Sequence, residues 1–430
     1  MTKGYKQIKG IDYKETYAPV SRLATLRIVL AFTSEKNWEC HQMDVVTAFL
    51  NPKIDQENVL MELPELEHLG NLPEKSSPIV RLKKALYSLK QAPRLWFIEI
   101  NSYLLSLGFC QSSVEPSLYI ADSVILLLYV DDMLILFKDI SVGEEIKQRL
   151  QDKYKMTDLG PVKRFLGMTI ERTANGYNLH QESYIESLLS KHSMTDSYNA
   201  CTPIETHAKL DIKSGDIDAL VDQKAYLAIV GSLMYAALGT RPDISYAVGL
   251  LSRFNSDPRT RHLTAAKRVL RYLKRTKDLK LEYKQTGRKL QGFVDSDWAN
   301  EKDRKSIGGY TFTLGGAAVS WASKKQTIVA QSTEEAEYTA FTECYTPTGT
   351  PVATEHPATG PGKTTGARRH TNDHSTMTKW PAWYSNIRIQ RWGAKPEMDL
   401  RYRGYITHRR TRESHPDRQS KHAKDTDAGT

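Results

Sequence analysis

Asp131 and Asp132 stand side by side between two apolar runs, Ser123-Val-Ile-Leu-Leu-Leu-Tyr-Val130 and Met133-Leu-Ile-Leu-Phe137. Each run has the length of a buried strand, so the segment reads as a hairpin with both carboxylates at its tip. Adjacent carboxylates repel, and burying an unpaired charge costs several kcal/mol. The arrangement makes sense if divalent cations sit there, since magnesium takes one or two carboxylates together with substrate phosphates. Taken alone, the segment is equally consistent with a surface Asp-Asp turn in an ordinary hairpin.

The pair does not stand alone. Gln42-Met-Asp-Val-Val-Thr-Ala-Phe-Leu-Asn51 carries a third aspartate, Asp44, 87 positions before Asp131. Between them lies Leu82-Lys-Lys-Ala-Leu-Tyr-Ser-Leu-Lys-Gln-Ala-Pro-Arg94. In this order the motifs resemble the reverse transcriptase of copia-type long-terminal-repeat retrotransposons, over a stretch from about Lys3 to about Cys344. The resemblance implies an α+β right-hand polymerase of fingers, palm and thumb. It implies an RNA-directed DNA polymerase acting on an RNA template, a DNA primer, their RNA–DNA hybrid and dNTPs. Two magnesium ions, or manganese in their place, would be held by Asp44, Asp131 and Asp132.

The same resemblance assigns further roles. Phe49, five residues after Asp44, would be a steric gate under the nucleotide sugar; a core phenylalanine is the alternative. Gln91 would lie in a loop against the incoming nucleotide and template. Arg27 would grip the triphosphate, although a surface arginine on a helix fits the sequence as well. Tyr129 and Val130 would lie beside the primer terminus. Two departures stand out: Asn51-Pro52 where the family usually has Asn-Gly, and Ser88 where it usually has glycine. The chain is expected to begin inside the fingers.

The elements that must position these residues follow from the hydrophobic pattern. Helices are expected near 25–36, 93–107, 142–154, 182–191, 222–238, 242–254 and 261–276, and from about Thr333. Strands joined at Asn175-Gly176 are expected across 165–180. Further strands are expected at 310–314, 317–321 and 327–330. In the helix at 261–276, Leu263, Ala266, Leu270 and Leu273 form an apolar stripe. Lys267, Arg271 and Lys274 lie on its basic face, which would track duplex phosphates or simply be solvated. The expected division is fingers and palm at 1–195, a linker and helical thumb at 196–288, a partial ribonuclease H-like domain at 289–345, and a disordered, frame-shifted tail at 346–430.

The ribonuclease H resemblance rests on Gly292-Phe-Val-Asp-Ser-Asp-Trp298 and Glu334-Glu-Ala-Glu-Tyr338. It implies Asp295 and Glu335 as two of four metal-binding carboxylates. The other two should lie beyond residue 345, where Asp373 follows no strand-like segment. Ribonuclease H activity is therefore not expected. From Thr346 onward only five residues are Val, Ile or Leu, and seven of the 18 prolines fall there. Such a composition buries little.

Bulk properties bound the alternatives. The chain has 430 residues and a net charge of +10, of which the 85-residue tail carries +7. The basic balance is thus largely a property of the tail and only weakly supports a polyanionic partner. Neither a signal peptide nor a run of 18 uncharged apolar residues is visible. The four cysteines form no Cys-x-x-Cys pair, so free thiols are expected. The expected location is cytoplasmic, in a virus-like particle, or nuclear; no membrane partner is expected. A catalytically silent nucleic-acid-binding remnant is the alternative function. An integrase or protease portion is disfavoured, because no Asp-Ser/Thr-Gly motif or zinc-finger spacing occurs.

Overall fold

The computed structural model describes residues 3–54, 59–62, 79–205, 210, 218–299, 303–345 and 388–391. A six-stranded antiparallel sheet is built in the order β4 (Cys110–Gln111), β5 (Leu118–Ile120), β6 (Val124–Tyr129), β7 (Asp132–Phe137), β1 (Glu39–Val45), β8 (Met156–Pro161). The expected hairpin is β6–β7. Its strands are apolar at nearly every position because both faces of the sheet are covered. Leu127, Leu134 and Leu136 enter one core with α1 (Leu23–Lys36). Val124, Leu126, Leu128, Met133, Ile135 and Phe137 enter another with Trp96, Ile100 and Leu104 of α2 (Ala92–Ser106) and Leu150 of α3 (Ile140–Lys153). A period of two thus sends successive apolar side chains into opposite cores.

A second antiparallel sheet follows the order β12 (Leu281–Lys284), β11 (Gly176–His180), β10 (Met168–Thr173), β9 (Arg164–Phe165). Two short strands, β2 (Leu60–Glu62) and β3 (Ile79–Arg81), pair with each other. The helices α4 (Glu182–Lys191), α5 (Gln223–Gly239), α6 (Ser245–Ser252) and α7 (Thr260–Arg275) enclose a helical core. A third sheet runs β15 (Ala317–Lys325), β14 (Ile307–Leu314), β13 (Gln291–Ser296), β16 (Arg388–Arg391), with α8 (Thr333–Tyr345) packed on β13 and β14.

Packing runs across the expected boundaries: β12 pairs with β11 across 195, and Leu314, Ala318 and Val319, beyond 288, join the core of Leu26, Leu30, Tyr177 and Tyr283. Two expectations change. Residues 327–330 form no strand. The tail is not wholly irregular, since Arg388–Arg391 pairs in parallel with Gln291–Val294. Composition measures what a segment can bury; an open strand edge needs only backbone donors and acceptors. The rest of the tail, including Asp373, lies outside the described residues.

Candidate active site

The β1–β7 ladder sets Asp44 directly opposite Asp132. Asp131 precedes Asp132 at the turn, which the structure fastens from two sides. The Val45 amide donates to the Asp131 carbonyl at 2.9 Å, and buried Trp96 donates its indole N–H to the Val130 carbonyl at 2.7 Å. Val130 itself adopts φ +60°. That left-handed backbone is costly for a β-branched residue, of order 1–3 kcal/mol, and survives only where neighbours over-determine it. The turn carrying the carboxylates is therefore held rigidly.

The three carboxylates feel one another. Burial, and then the charge of Asp131, raises the Asp44 carboxyl above its ordinary value. Burial raises Asp132 too, with Asp131 and Asp44 adding to it; a hydrogen bond from Gln42 Nε2 to Asp132 Oδ1 at 3.2 Å opposes the shift. Among the described residues, no three His, Cys, Asp or Glu side chains are gathered into a ready metal cage. The donor chemistry nevertheless suits magnesium, which keeps several waters and takes carboxylates along with substrate phosphates rather than an all-protein cage. A cation would also relieve the mutual repulsion.

Phe49 lies in a single 3-10 turn, Ala48–Leu50, just beyond β1. Its ring is half-buried and meets the Tyr87 ring, with centroids 4.9 Å apart and planes at 59°. Tyr87 is 42% exposed. Its hydroxyl is raised by burial and then by the charges of Asp131 and Asp44. Tyr87 was not among the residues expected from sequence. It lies in the Leu82–Arg94 motif, but nothing in spacing says that this loop meets Phe49.

Tyr129 is half-buried and pairs across the hairpin with Asp132, its ring edge-on to Phe165. Tyr129 and Val130 therefore stand beside the carboxylates. Gln91 does not face an open site. It is 2% exposed, accepts from Gln7 Nε2 at 3.0 Å and donates to the Asp12 carbonyl at 3.2 Å. It ties the N-terminal segment to the start of α2. Arg27 does not face an open site either. It is 5% exposed, donates to the carbonyls of Val319, Leu238 and Gly239, and lies 4.0 Å over the Trp321 ring. Burial lowers its pKa to about 10. A place on a helix does not by itself reveal that α1 is covered on most sides.

The basic face of α7 is also partly occupied. Lys274 donates to the Ser197 carbonyl at 2.6 Å, and Arg268, three residues before Arg271, pairs with Glu205 and donates to Thr202. Arg271 is half-buried and its carbonyl accepts from the Ala200 amide; Lys267 is exposed. The segment around 197–205 thus lies along the helix that was expected to meet a duplex. Asp295 is exposed on β13 and lines a cavity of about 660 Å³ with Asp243, Asp297 and Trp321. Glu335 is exposed in the first turn of α8, where its carboxylate accepts from the Gln331 amide at 2.7 Å.

The family model described as reverse transcriptase (RNA-dependent DNA polymerase) matches residues 1–206. The retrovirus-related Pol polyprotein from transposon TNT 1-94 of Nicotiana tabacum is 40% identical over 357 residues, 80% of this chain and 26% of that protein. The corresponding polyprotein from transposon RE1 of Arabidopsis thaliana is 38% identical over 346 residues, 79% of this chain and 23% of that protein. The putative transposon Ty5-1 protein YCL074W of Saccharomyces cerevisiae is 36% identical over 310 residues, 70% of this chain and 98% of that protein. The chain thus spans about a quarter of the two Pol polyproteins and nearly all of the yeast protein. Among solved structures, the foamy viral protease-reverse transcriptase in complex with RNA/DNA hybrid matches loosely. Its TM-score is 0.43 at 12% identity, over 71% of this chain and 36% of that one.

Proposed function

This chain belongs to the reverse transcriptase family of copia-type transposon Pol polyproteins, and from that membership we propose that it is an RNA-directed DNA polymerase centred on Asp44, Asp131 and Asp132. The observation that carries the reading is the direct pairing of Asp44 with Asp132, beside a strained turn that presents Asp131. Two magnesium ions, or manganese in their place, would when bound neutralise charge on the attacking and leaving oxygens. Asp44, Asp131 and Asp132 would hold them. The rigid turn keeps the carboxylates in place while a primer end and a nucleotide are aligned, which is where much of the rate of such a transfer originates. Phe49 presents its ring to the nucleotide sugar, and Tyr129 and Val130 flank the primer terminus. An RNA template, a DNA primer and dNTPs are the substrates.

Within this reading, residues 1–195 act as fingers and palm and 196–288 as a helical thumb and connection packed on them. Residues 289–345 act as a ribonuclease H-like module without cleavage activity. The chain works in a cytoplasmic virus-like particle or in the nucleus. Extension of oligo-dT on poly-rA with magnesium tests the central claim. Incorporation by the wild type that disappears in Asp131→Asn supports it; a purified, folded wild type that extends no primer refutes it.

A further inference from the structure

We infer that Tyr87 is a positioning residue for sugar selection, its ring backing the Phe49 ring so that Phe49 cannot retreat from a ribose. This rests on the proposed polymerase reading and adds to it a residue that the motifs do not single out.

A steric gate rejects one extra hydroxyl only if the gate is stiff. Phe49 sits on a single short turn, and its half-buried ring packs against the apolar clusters around Trp96 and around Ala85. The Tyr87 ring lies 4.9 Å away and tilted by 59°, within the range in which aromatic pairs attract. The backing ring is itself anchored. The segment after Phe49 runs against the loop before Tyr87: the Ala85 amide donates to the Pro52 carbonyl and the Ile54 amide to the Lys83 carbonyl, each at 3.0 Å. On the other side Ser88 adopts φ +80°. Its carbonyl is so close to Gly4 that a Cβ there would meet it at 1.7 Å. Ala85 and Leu89 are buried on either side. Tyr87 is therefore a partly exposed ring on a loop pinned at both ends. Phe49 lies one short turn beyond β1, the strand that carries Asp44, so the ring pair stands near the end of that strand.

The test compares rNTP with dNTP incorporation as a ratio, so that a general loss of activity cancels. The wild-type chain, Phe49→Val, Tyr87→Phe, Tyr87→Leu and Tyr87→Ala are assayed on the same template and primer. Tyr87→Ala is expected to raise the rNTP:dNTP ratio roughly tenfold, the lower end of what one pocket wall is worth. Tyr87→Phe, which keeps the ring, should stay within about twofold of wild type, and Tyr87→Leu should fall between. If Tyr87→Ala does not fold, the Leu and Phe variants decide the matter. A ratio unmoved by Tyr87→Ala or Tyr87→Leu, while Phe49→Val raises it, overturns the inference and leaves the polymerase reading standing. A rise in Tyr87→Phe as large as in Tyr87→Ala overturns it too, because the hydroxyl rather than the ring would be responsible. A wild type that incorporates neither nucleotide removes the basis of both.

Discussion

Replacing Asp132 with Asn should stabilise the metal-free protein while abolishing polymerisation. Residues opposite one another in an antiparallel ladder have Cα atoms roughly 4.5–5.5 Å apart, and Asp44 faces Asp132 in this way. Two carboxylates about 6 Å apart repel by about 3 kcal/mol at an effective dielectric of about 20, and by about 0.7 kcal/mol in water. Both side chains are half-exposed, so solvent screening pulls the figure toward about 1 kcal/mol. Asn keeps the Oδ1 acceptor that Gln42 uses, so little else is lost. The pH dependence has a definite sign. The folded-state pKa values of Asp44 and Asp132 are raised by burial and by neighbouring carboxylates. The folded protein therefore holds protons that the unfolded chain has released. The penalty is absent below the ordinary Asp value of about 3.9, grows as pH rises to the raised folded values, and is full above them. Urea unfolding in EDTA at several pH values measures it. The variant should exceed wild type by about 1 kcal/mol at pH 7, with the gap closing toward pH 4. Magnesium at about ten times its Kd should add about 1.4 kcal/mol to wild type and distinctly less to the variant. A variant less stable than wild type at pH 7 without metal, or a gap that widens on acidification, would refute the argument.

Arg27→Ala should destabilise the fold by about 3 kcal/mol or more. It strands three carbonyl acceptors and removes a cation–π contact with Trp321. The unfolding midpoint should fall while the residual dNTP KM stays near wild type; a selective rise in KM without loss of stability would restore the triphosphate role. Ser88→Gly should stabilise by about 1 kcal/mol, because φ +80° is a glycine conformation. An unchanged or lower denaturant midpoint would count against it. Incubation with an RNA–DNA hybrid and magnesium should give no hybrid-specific cleavage, since two-ion chemistry depends on fixed coordination geometry. Robust cleavage lost in Asp295→Asn would overturn this.

The three aspartates proposed as the polymerase centre, and the hairpin carrying two of them, are legible in the chain because both signals are local. An apolar run that reverses at a polar turn is a strand pair whatever surrounds it, and a motif holds its residues at constant spacing. Helix α4 was placed at its observed bounds, Glu182–Lys191, and the Asn175-Gly176 turn joins β10 to β11 as expected, for the same reason. Facing and burial were another matter. Arg27, Gln91 and Lys274 are polar side chains that sequence reasoning turned toward a substrate. Packing turned Arg27 and Gln91 inward and gave Lys274 a protein partner, because buried carbonyls and amides from distant segments required donors and acceptors. The opposition of Asp44 and Asp132 depends on strand register, and the meeting of Tyr87 with Phe49 on two loops 38 positions apart. Only the tertiary structure could decide these, since register and loop docking are chosen by the cores on both faces of the sheet.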